Sequence, residues 1–357
     1  MTDKARPYLK RIDVLQLEIS TNCNLFCKGC VRTNKFEFGK TVNPDLPEKN
    51  QFLDPNIIEQ VLNSKACSKL KEIQFCGTID DPLMHPELLK ILDIIYKRPN
   101  IKVQLHTNAS LRTPDYFREI AKRMRPKSEI MFSIDGLENT NHLYRIGANW
   151  QKIIENAQAY IDEGGKAVWQ YIEFPWNEQD TNAAQALAKK MGFDRFKWRR
   201  DRSGSPTDED VQATIDHYTK LYKKDWKQFI KSDKFVKKDK IDCFTRKDKM
   251  MFIGYNGEVW PCCFLHNGKW LQDGRYSEYQ DRFDGNYGKN WNNLYHSSFD
   301  DIVNHRFYQD DLTASWSSKK HGTGCKDRIT RCTATCSKKN FSKRPIGNFP
   351  TKNLRED

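Results

Sequence analysis

Residues 14–20 read Val-Leu-Gln-Leu-Glu-Ile-Ser, and residues 23–30 follow as Cys-Asn-Leu-Phe-Cys-Lys-Gly-Cys. The first run alternates apolar and polar residues, which is typical of a β-strand. The second run is a C-x3-C-x2-C motif, so three thiols lie on a loop that leaves this strand. Thiolates are the ligands of iron–sulfur clusters, which usually take four. Three of them would leave one iron open for chemistry, and the alternatives are a zinc site or three incidental thiols.

Strands and helices alternate in the sequence that follows this motif. Apolar periodicity predicts strands at 14–20, 71–75, 102–106, 129–134, 167–174 and 195–198, and helices at 55–64, 86–96, 114–124, 150–163 and 182–191. This alternation indicates parallel βαβ units. We predict an α/β fold, a partial (β/α)6 barrel, with a doubly wound sheet as the alternative. In both folds the site lies where the strands end.

The pattern changes beyond residue 202. A turn-rich break at 203–206 precedes apolar residues spaced three and four apart, which predict a basic amphipathic helix. Farther along, Asn256-Gly257 is a type I′ turn signal that predicts a hairpin ending at Cys262. We therefore predict an N-terminal segment 1–13, a core 14–205, a basic helical connector 206–240, a small α+β domain 241–342 built around the hairpin, and a loose basic tail 343–357.

The composition limits the class of protein. The chain has 357 residues with 20 Phe, 14 Tyr and 9 Trp, which are too many aromatic residues for a disordered chain. No apolar run approaches the ~20 residues that span a bilayer, and no secretory signal is recognisable at residues 1–7. The sequence predicts a soluble cytoplasmic protein that does not enter membranes.

The formal net charge of +13 is local. Residues 220–249 carry 12 Lys and Arg against 5 Asp and Glu, and residues 319–357 carry 11 against 3. The rest of the chain is therefore almost neutral, which makes a nucleic-acid partner a weak expectation. Eleven cysteines cannot all pair, and their clustering without an export signal points to metal binding or catalysis rather than disulfides.

Motifs that follow the later strands carry a resemblance to a known family. Gly77-Thr78-Ile79-Asp80-Asp81-Pro82 follows the second strand, Thr107-Asn108 the third, and Ser133-Ile134-Asp135-Gly136 the fourth, with Arg145 shortly after. Together with the cysteine motif, their order resembles the radical SAM superfamily over roughly residues 14–200. The resemblance implies a radical SAM core, in which Cys23, Cys27 and Cys30 bind a [4Fe–4S] cluster whose fourth iron takes S-adenosylmethionine.

The same resemblance implies contacts to S-adenosylmethionine. Asp81 would hold the methionine ammonium, although the family more often has Gly-Glu where this chain has Asp80-Asp81, so either aspartate is a candidate. Asn108 lies in the Thr-Asn turn, and Ser133 and Asp135 would contact the ribose or nearby polar groups. Arg145 would pair with the methionine carboxylate, which a guanidinium suits. Cys76, directly after the second strand, is either a hydrogen-atom donor or substrate contact, or a buried thiol.

A second cysteine set lies in the C-terminal half. Cys243 and Cys262 form C-x13-G-x4-C around the predicted hairpin, and Cys325, Cys332 and Cys336 follow far downstream. On spacing alone, a structural zinc site competes with an iron–sulfur cluster. Behind a radical SAM core the pattern resembles the SPASM and Twitch extensions, although its ending is incomplete. The resemblance implies one auxiliary [4Fe–4S] cluster bound by Cys243, Cys262 and Cys336, with Cys325 and Cys332 competing for the fourth place.

The resemblance implies a radical SAM oxidoreductase. Such an enzyme reductively cleaves S-adenosylmethionine to a 5′-deoxyadenosyl radical, which takes a hydrogen atom from a substrate. A peptide is the expected substrate, with oxidation, epimerisation or crosslinking as the reaction. A flavodoxin- or ferredoxin-like protein is the expected electron donor, and the auxiliary cluster would assist electron transfer or substrate binding.

Three alternatives stay open. The substrate is instead a small carbinol, sugar or nucleotide that is dehydrogenated or rearranged. S-adenosylmethionine is consumed as a methyl or sulfur donor, for which no extra domain is visible. In a different class, the chain binds nucleic acid through its basic spans and holds structural metals.

Overall fold

The computed structural model describes residues 7–33, 41–200, 240–267, 279–320, 322–337 and 351–354. Apart from residue 240, the predicted connector 206–240 lies outside these residues, as does most of the predicted tail 343–357. Contacts divide the chain into two compact units. The barrel unit takes its residues from Glu18–Pro55, Glu72–Thr219 and Asn348–Asp357, and the hairpin unit from Met1–Leu17, Asn56–Lys71 and Lys220–Gly347. The five domain segments above stay a prediction.

The barrel unit is built from parallel strands joined by helices. Its strands are β2 (Glu72–Phe75), β3 (Lys102–Thr107), β4 (Glu129–Ser133), β5 (Ala167–Glu173) and β6 (Arg195–Arg200). Each is parallel to the next along the chain. The connecting helices are α2 (Leu88–Tyr96), α3 (Pro114–Arg123), α4 (Asn141–Tyr144), α5 (Trp150–Asp162) and α6 (Thr181–Met191), with 3₁₀ turns at Pro82–Met84 and Glu178–Asp180.

The two faces of these strands differ in polarity. Ile73, Phe75, Val103 and Leu105 alternate along β2 and β3 and are completely buried. Helices α2, α3, α5 and α6 carry matching buried apolar stripes. The intervening strand residues form a polar sheet face, whose members are half-buried: Glu72, Gln74, Lys102, Gln104, His106, Gln170 and Lys197. A parallel sheet covered on both faces by helices would be apolar on both. The sheet does not close on itself, so the predicted α/β partial barrel is confirmed.

The hairpin unit contains β1 (Val14–Leu17), β7 (Met250–Ile253) and β8 (Val259–Trp260). β7 is parallel to β1 and antiparallel to β8. Most of α1 (Pro55–Leu62) also belongs to this unit. The remaining described helices of this unit are Phe244–Lys247, Cys263–His266, Tyr279–Tyr287, Phe299–Asn304, Leu312–Ser315 and Thr330–Cys336, with a π-helical turn at Phe307–Asp311. None of the helices that the structure describes is both long and apolar enough to cross a bilayer.

Two local predictions were wrong. The hairpin between β7 and β8 is present, but its turn is not type I′, which needs positive φ at both central residues. Only Gly257 has a positive φ, +76°, and its amide donates to the Gly254 carbonyl oxygen over 2.9 Å. The geometry is that of a type I turn followed by a left-handed glycine. The expected loose tail contains β9 (Thr351–Asn353), which pairs antiparallel with β6.

Candidate functional site

The loop that carries Cys23, Cys27 and Cys30 is held by its own backbone. The Cys27 carbonyl oxygen accepts from the Cys30 amide and from the Thr33 hydroxyl, each over 3.0 Å. The Phe26 amide donates to the Ile146 carbonyl oxygen over 3.0 Å. These bonds fix the spacing of the three cysteines and hold their loop beside the segment that follows α4.

The three thiols lie in one electrostatic environment. Burial raises the pKa of all three, to about 12 for Cys27, and the neighbouring cysteines raise those of Cys23 and Cys27 further. Two donors approach the sulfurs. The side-chain amide nitrogen of Asn108 lies 3.8 Å from Cys23 Sγ, and Nη1 of Arg145 lies 4.0 Å from Cys27 Sγ. Half-buried thiols with raised pKa values need a nearby positive charge to ionise, which a bound metal supplies.

Asp81 is fully engaged by its neighbours. Its carboxylate accepts from the backbone amide of Asn108 over 2.8 Å, from the backbone amide of Leu83 over 3.0 Å and from the Thr107 hydroxyl over 3.0 Å. The Leu83 bond caps the 3₁₀ turn Pro82–Met84. Burial raises the pKa of Asp81, and these bonds oppose the rise. The sequence therefore places at Asp81 a carboxylate that ties the ends of β2 and β3 together.

Asp80 has the opposite character. It is buried, and neither carboxylate oxygen has a hydrogen-bond partner among the described residues. Burial, then Glu18 and then Asp81 raise its pKa well above the ordinary value. The charge of Arg32 opposes this rise, as does the nearby Ser20 backbone, which forms no well-aligned hydrogen bond with the carboxylate. A buried carboxyl without partners is costly, so Asp80 is suited to a positively charged ligand.

Glu18 and Arg32 complete this cluster and were missed from the sequence. Glu18 is fully buried directly after β1 and accepts from the Thr78 and Ile79 amides over 3.1 Å each. Arg32 is buried and donates to the carbonyl oxygens of Thr21, over 2.6 Å, and Ile79. Burial raises the pKa of Glu18 to about 7, and Arg32 opposes the rise. For Glu18 the sequence signal was a charged residue directly after an apolar strand.

Asp135 and Arg145 pair with each other. Arg145 Nη2 lies 2.7 Å from Asp135 Oδ2, while Asp135 Oδ1 accepts from the Ile172 amide over 2.7 Å. The Nε of Arg145 is buried and has no hydrogen-bond partner in the part of the chain that the structure describes. Ser133 ends β4 and is half-buried. Arg145 therefore retains a buried donor beyond the one held by Asp135.

Two glycines shape the loops that carry these groups. At Gly77 φ is +22°, and a Cβ would lie 2.4 Å from the Asp80 carbonyl oxygen. At Gly136 φ is +158°, and a Cβ would lie 2.5 Å from both the Asn141 amide nitrogen and the Thr140 hydroxyl. Both distances are closer than a carbon atom allows, so a side chain at either position would displace the loop.

The polar sheet face extends away from these loops. His106 lies between two glutamines, with Nδ1 3.2 Å from Gln170 Oε1 and Nε2 3.2 Å from Gln104 Oε1. Burial lowers the pKa of His106 to about 4, so the ring is neutral and donates from one nitrogen only. One of the two amides must therefore turn its NH₂ group to the ring. Cys76 is half-buried, with its sulfur 3.8 Å from the Thr78 hydroxyl.

Four cysteines of the hairpin unit line one cavity. They are Cys243, Cys262, Cys332 and Cys336. The cavity is otherwise mainly apolar, with Trp316, Leu265 and Leu312 in its wall. A hydrogen bond with Cys336 lowers the pKa of Cys243 to about 6, whereas burial raises that of Cys332 to about 12. The hairpin thus returns Cys262 to the neighbourhood of Cys243.

Cys325 lies outside this cavity. Its thiol donates to the Asn286 side-chain oxygen over 3.1 Å. The structure therefore groups Cys332, not Cys325, with Cys243, Cys262 and Cys336. Cys263 is half-buried beside Cys262 at the start of the helix Cys263–His266.

Comparison with family models gives two matches. Residues 17–183 match the model of the radical SAM superfamily, and residues 243–337 match the SPASM model, described as an iron–sulfur cluster-binding domain. A search of the curated proteins returns no match.

Solved structures with a similar fold include those of SuiB and anSMEcpe. Streptococcus suis SuiB bound to S-adenosylmethionine is 16% identical, with a TM-score of 0.50 over 71% of this chain and 61% of SuiB. SuiB bound to its precursor peptide SuiA is 15% identical, with a TM-score of 0.50 over 79% and 67%. Native anSMEcpe with bound AdoMet is 13% identical, with a TM-score of 0.51 over 90% and 88%. The chain thus spans less than two thirds of the S-adenosylmethionine-bound SuiB, and at these identities the likeness shows the fold alone.

The buried carboxyls predict a pH-dependent stability. Because the pKa of Glu18 is higher in the folded chain than its ordinary 4.5, the folded state binds more protons between pH 4.5 and about 7. The free energy of unfolding should therefore fall as the pH rises through this window. Glu18→Gln should flatten that fall, as measured by urea unfolding of the cofactor-free protein at pH 5, 6, 7 and 8.

A matched control is Glu163→Gln, at the exposed end of α5. It should keep the pH dependence of the original chain. A Glu18→Gln protein with an unchanged pH dependence would show that this carboxyl stays ionised when buried.

Proposed function

The chain belongs to the radical SAM superfamily and carries a SPASM iron–sulfur cluster-binding domain, and on that premise we propose that it is an oxidoreductase that takes a hydrogen atom from a peptide. The proposal of a peptide is supported by proteins of similar fold, since SuiB was solved with precursor peptide SuiA and anSMEcpe with Cp18Cys peptide. Oxidation, epimerisation and crosslinking are the reactions that fit. We place the protein in the cytoplasm, with a flavodoxin- or ferredoxin-like electron donor.

Two sets of buried polar atoms carry the proposal. Asp80 offers two carboxylate oxygens without partners, and Arg145 offers a buried Nε without one, among the described residues. A carboxylate suits an ammonium group, and a guanidinium suits a carboxylate. Together they match the charges of an α-amino acid, which is the methionine part of S-adenosylmethionine. We therefore assign the ammonium to Asp80, and Asp81 to positioning Thr107 and Asn108.

The cysteine loop fits a [4Fe–4S] cluster. Cys23, Cys27 and Cys30 supply three thiols, one fewer than the usual four, with Asn108 and Arg145 near their sulfurs. When bound, the cluster supplies the electron that cleaves S-adenosylmethionine. The chain's own residues keep the thiols half-buried, pair Arg145 with Asp135, and place Ser133 at the end of the neighbouring strand.

The cysteines that line the cavity of the hairpin unit suit a second cluster. Cys243, Cys262, Cys332 and Cys336 give it four thiols, which is a complete set for one [4Fe–4S] cluster. No group of described His, Cys, Asp or Glu side chains is drawn together closely enough to hold a single metal ion. Cys325, which has Asn286 as its partner, is left outside this ligand set.

The proposed function first predicts the iron content and the product. Anaerobic reconstitution with iron and sulfide should load ~8 irons per chain, because each of two cubane clusters holds four. The reduced protein should then release 5′-deoxyadenosine from S-adenosylmethionine. Cys23→Ala should abolish this product because the cluster loses a ligand, whereas Cys336→Ala should leave some of it and Cys67→Ala most of it. Zinc in place of iron, or an iron-loaded protein that makes no 5′-deoxyadenosine, would contradict the proposed function.

A second prediction separates the two aspartates. Asp80→Asn should weaken S-adenosylmethionine binding by about tenfold to a hundredfold, the value of a charge-assisted hydrogen bond, with little loss of stability. Asp81→Asn should instead lower the free energy of unfolding by about 1–3 kcal/mol, because an NH₂ group then faces the donors of Asn108 and Thr107. Equilibrium dialysis and urea unfolding measure the two effects. Reversed results would return the ammonium to Asp81.

A third prediction concerns the fourth ligand of the auxiliary cluster. Cys332→Ala should lower the iron content from ~8 to ~4 per chain, because the auxiliary cubane loses one of its four thiolate ligands. Cys325→Ala is the matched control and should keep ~8. Iron loss from Cys325→Ala alone would show that Cys325 moves into the cavity when iron binds.

A further inference from the structure

A basic cavity lies in the hairpin unit, apart from the cysteine cavity. Its volume is about 560 Å³. Four cationic side chains line it, Lys10, Arg11, Lys65 and Lys69, against the single carboxylate of Asp300. That carboxylate is already used, because it accepts from the Lys65 and Ala66 amides over 3.0 and 2.8 Å. The wall therefore carries an excess of positive charge.

The lysines of this cavity are available to a partner. Lys10, Lys65 and Lys69 are exposed, and their ammonium groups form no ion pair with any residue that the structure describes. Arg11 is the exception, since its Nε lies 2.9 Å from Asp13 Oδ1. Unpaired cations around a concave surface attract an acidic partner and steer its approach.

Tyr8 connects this cavity to the cysteine cavity. Tyr8 lines the basic cavity although its side chain is almost completely buried. Its hydroxyl lies 2.6 Å from the Thr245 hydroxyl, which in turn lies 3.2 Å from Cys243 Sγ. Its ring also packs edge to face against Trp316, with the ring centroids 6.3 Å apart, and Trp316 lines the cysteine cavity. One layer of side chains thus separates the basic cavity from a proposed cluster ligand.

We propose that the basic cavity is the docking site for an acidic one-electron carrier, a flavodoxin or a ferredoxin. This inference rests on the proposed function, which needs a donor. Each encounter oxidises the carrier by one electron, and the reductive cleavage of one S-adenosylmethionine consumes one. Complexes between redox proteins are small, often below ~1,200 Å², and depend on charge for fast association. A cationic cavity supplies the charge that fast association needs, and its short path to Cys243 suits the transfer of one electron.

The test reverses the charge of the three unpaired lysines in the holoenzyme. The variant Lys10→Glu/Lys65→Glu/Lys69→Glu should bind a purified acidic flavodoxin or ferredoxin at least tenfold more weakly at low salt, as measured by calorimetry, and should raise the KM for that donor. The matched control is Lys127→Glu/Lys166→Glu/Lys190→Glu, which changes the net charge equally at exposed lysines outside the cavity. It should keep the dissociation constant within about twofold.

Dithionite separates this inference from the proposed function, because a small reductant needs no docking site. With dithionite both triple variants should form 5′-deoxyadenosine at the rate of the original chain. If no chain forms it, the proposed function fails while the binding data still judge the cavity. Equal weakening in the control variant, no effect in the cavity variant, or equally tight binding of a ten-residue glutamate peptide would overturn the docking site.

Discussion

The site of the barrel unit depends on the cost of burying charge. Glu18, Asp80 and Asp81 lie together out of solvent, and Arg32 is a cation buried beside Glu18 and Asp80. Arg32 also holds the backbone, since it bonds the carbonyl oxygens of Thr21 and Ile79, and its amide lies 3.5 Å from Cys30 Sγ. A buried charge is tolerated only when it is paired and hydrogen-bonded. The position of the cysteine loop therefore follows from where this guanidinium finds its partners.

Within the cluster, the carboxyls are satisfied to different degrees. Glu18 and Asp81 receive backbone amides, whereas Asp80 receives no hydrogen bond from the described residues. Glu18 and Asp81 therefore stabilise the loops. Burying Asp80 has an unfavourable free energy, which a cationic ligand would relieve. Arg145 shows the same division within one side chain, because one nitrogen faces Asp135 and Nε has no partner among the residues that the structure describes.

Much of the fold could be predicted because periodicity reports burial. The alternation along β2 and β3 is a local pattern, and it predicted two strands that the structure contains. The choice between Asp80 and Asp81 could not be made in this way, because it depends on amides from Leu83 and Asn108 that folding brings together. The same is true of Cys332 and Cys325, whose separation depends on the partner that Asn286 offers. The type I′ expectation failed because Asn-Gly also fits a turn with only one left-handed residue.

The pairing of β9 with β6 has a consequence for synthesis. Arg195 of β6 lies opposite Asn353 of β9, so the two strands are more than 150 residues apart along the chain. At the usual speed of translation, β6 waits roughly 8–30 s for this neighbour. During that time the edge of a parallel sheet presents unpaired backbone groups, which other chains can join. The barrel unit therefore reaches its final edge late, and a nascent chain has most to gain from a chaperone in that interval.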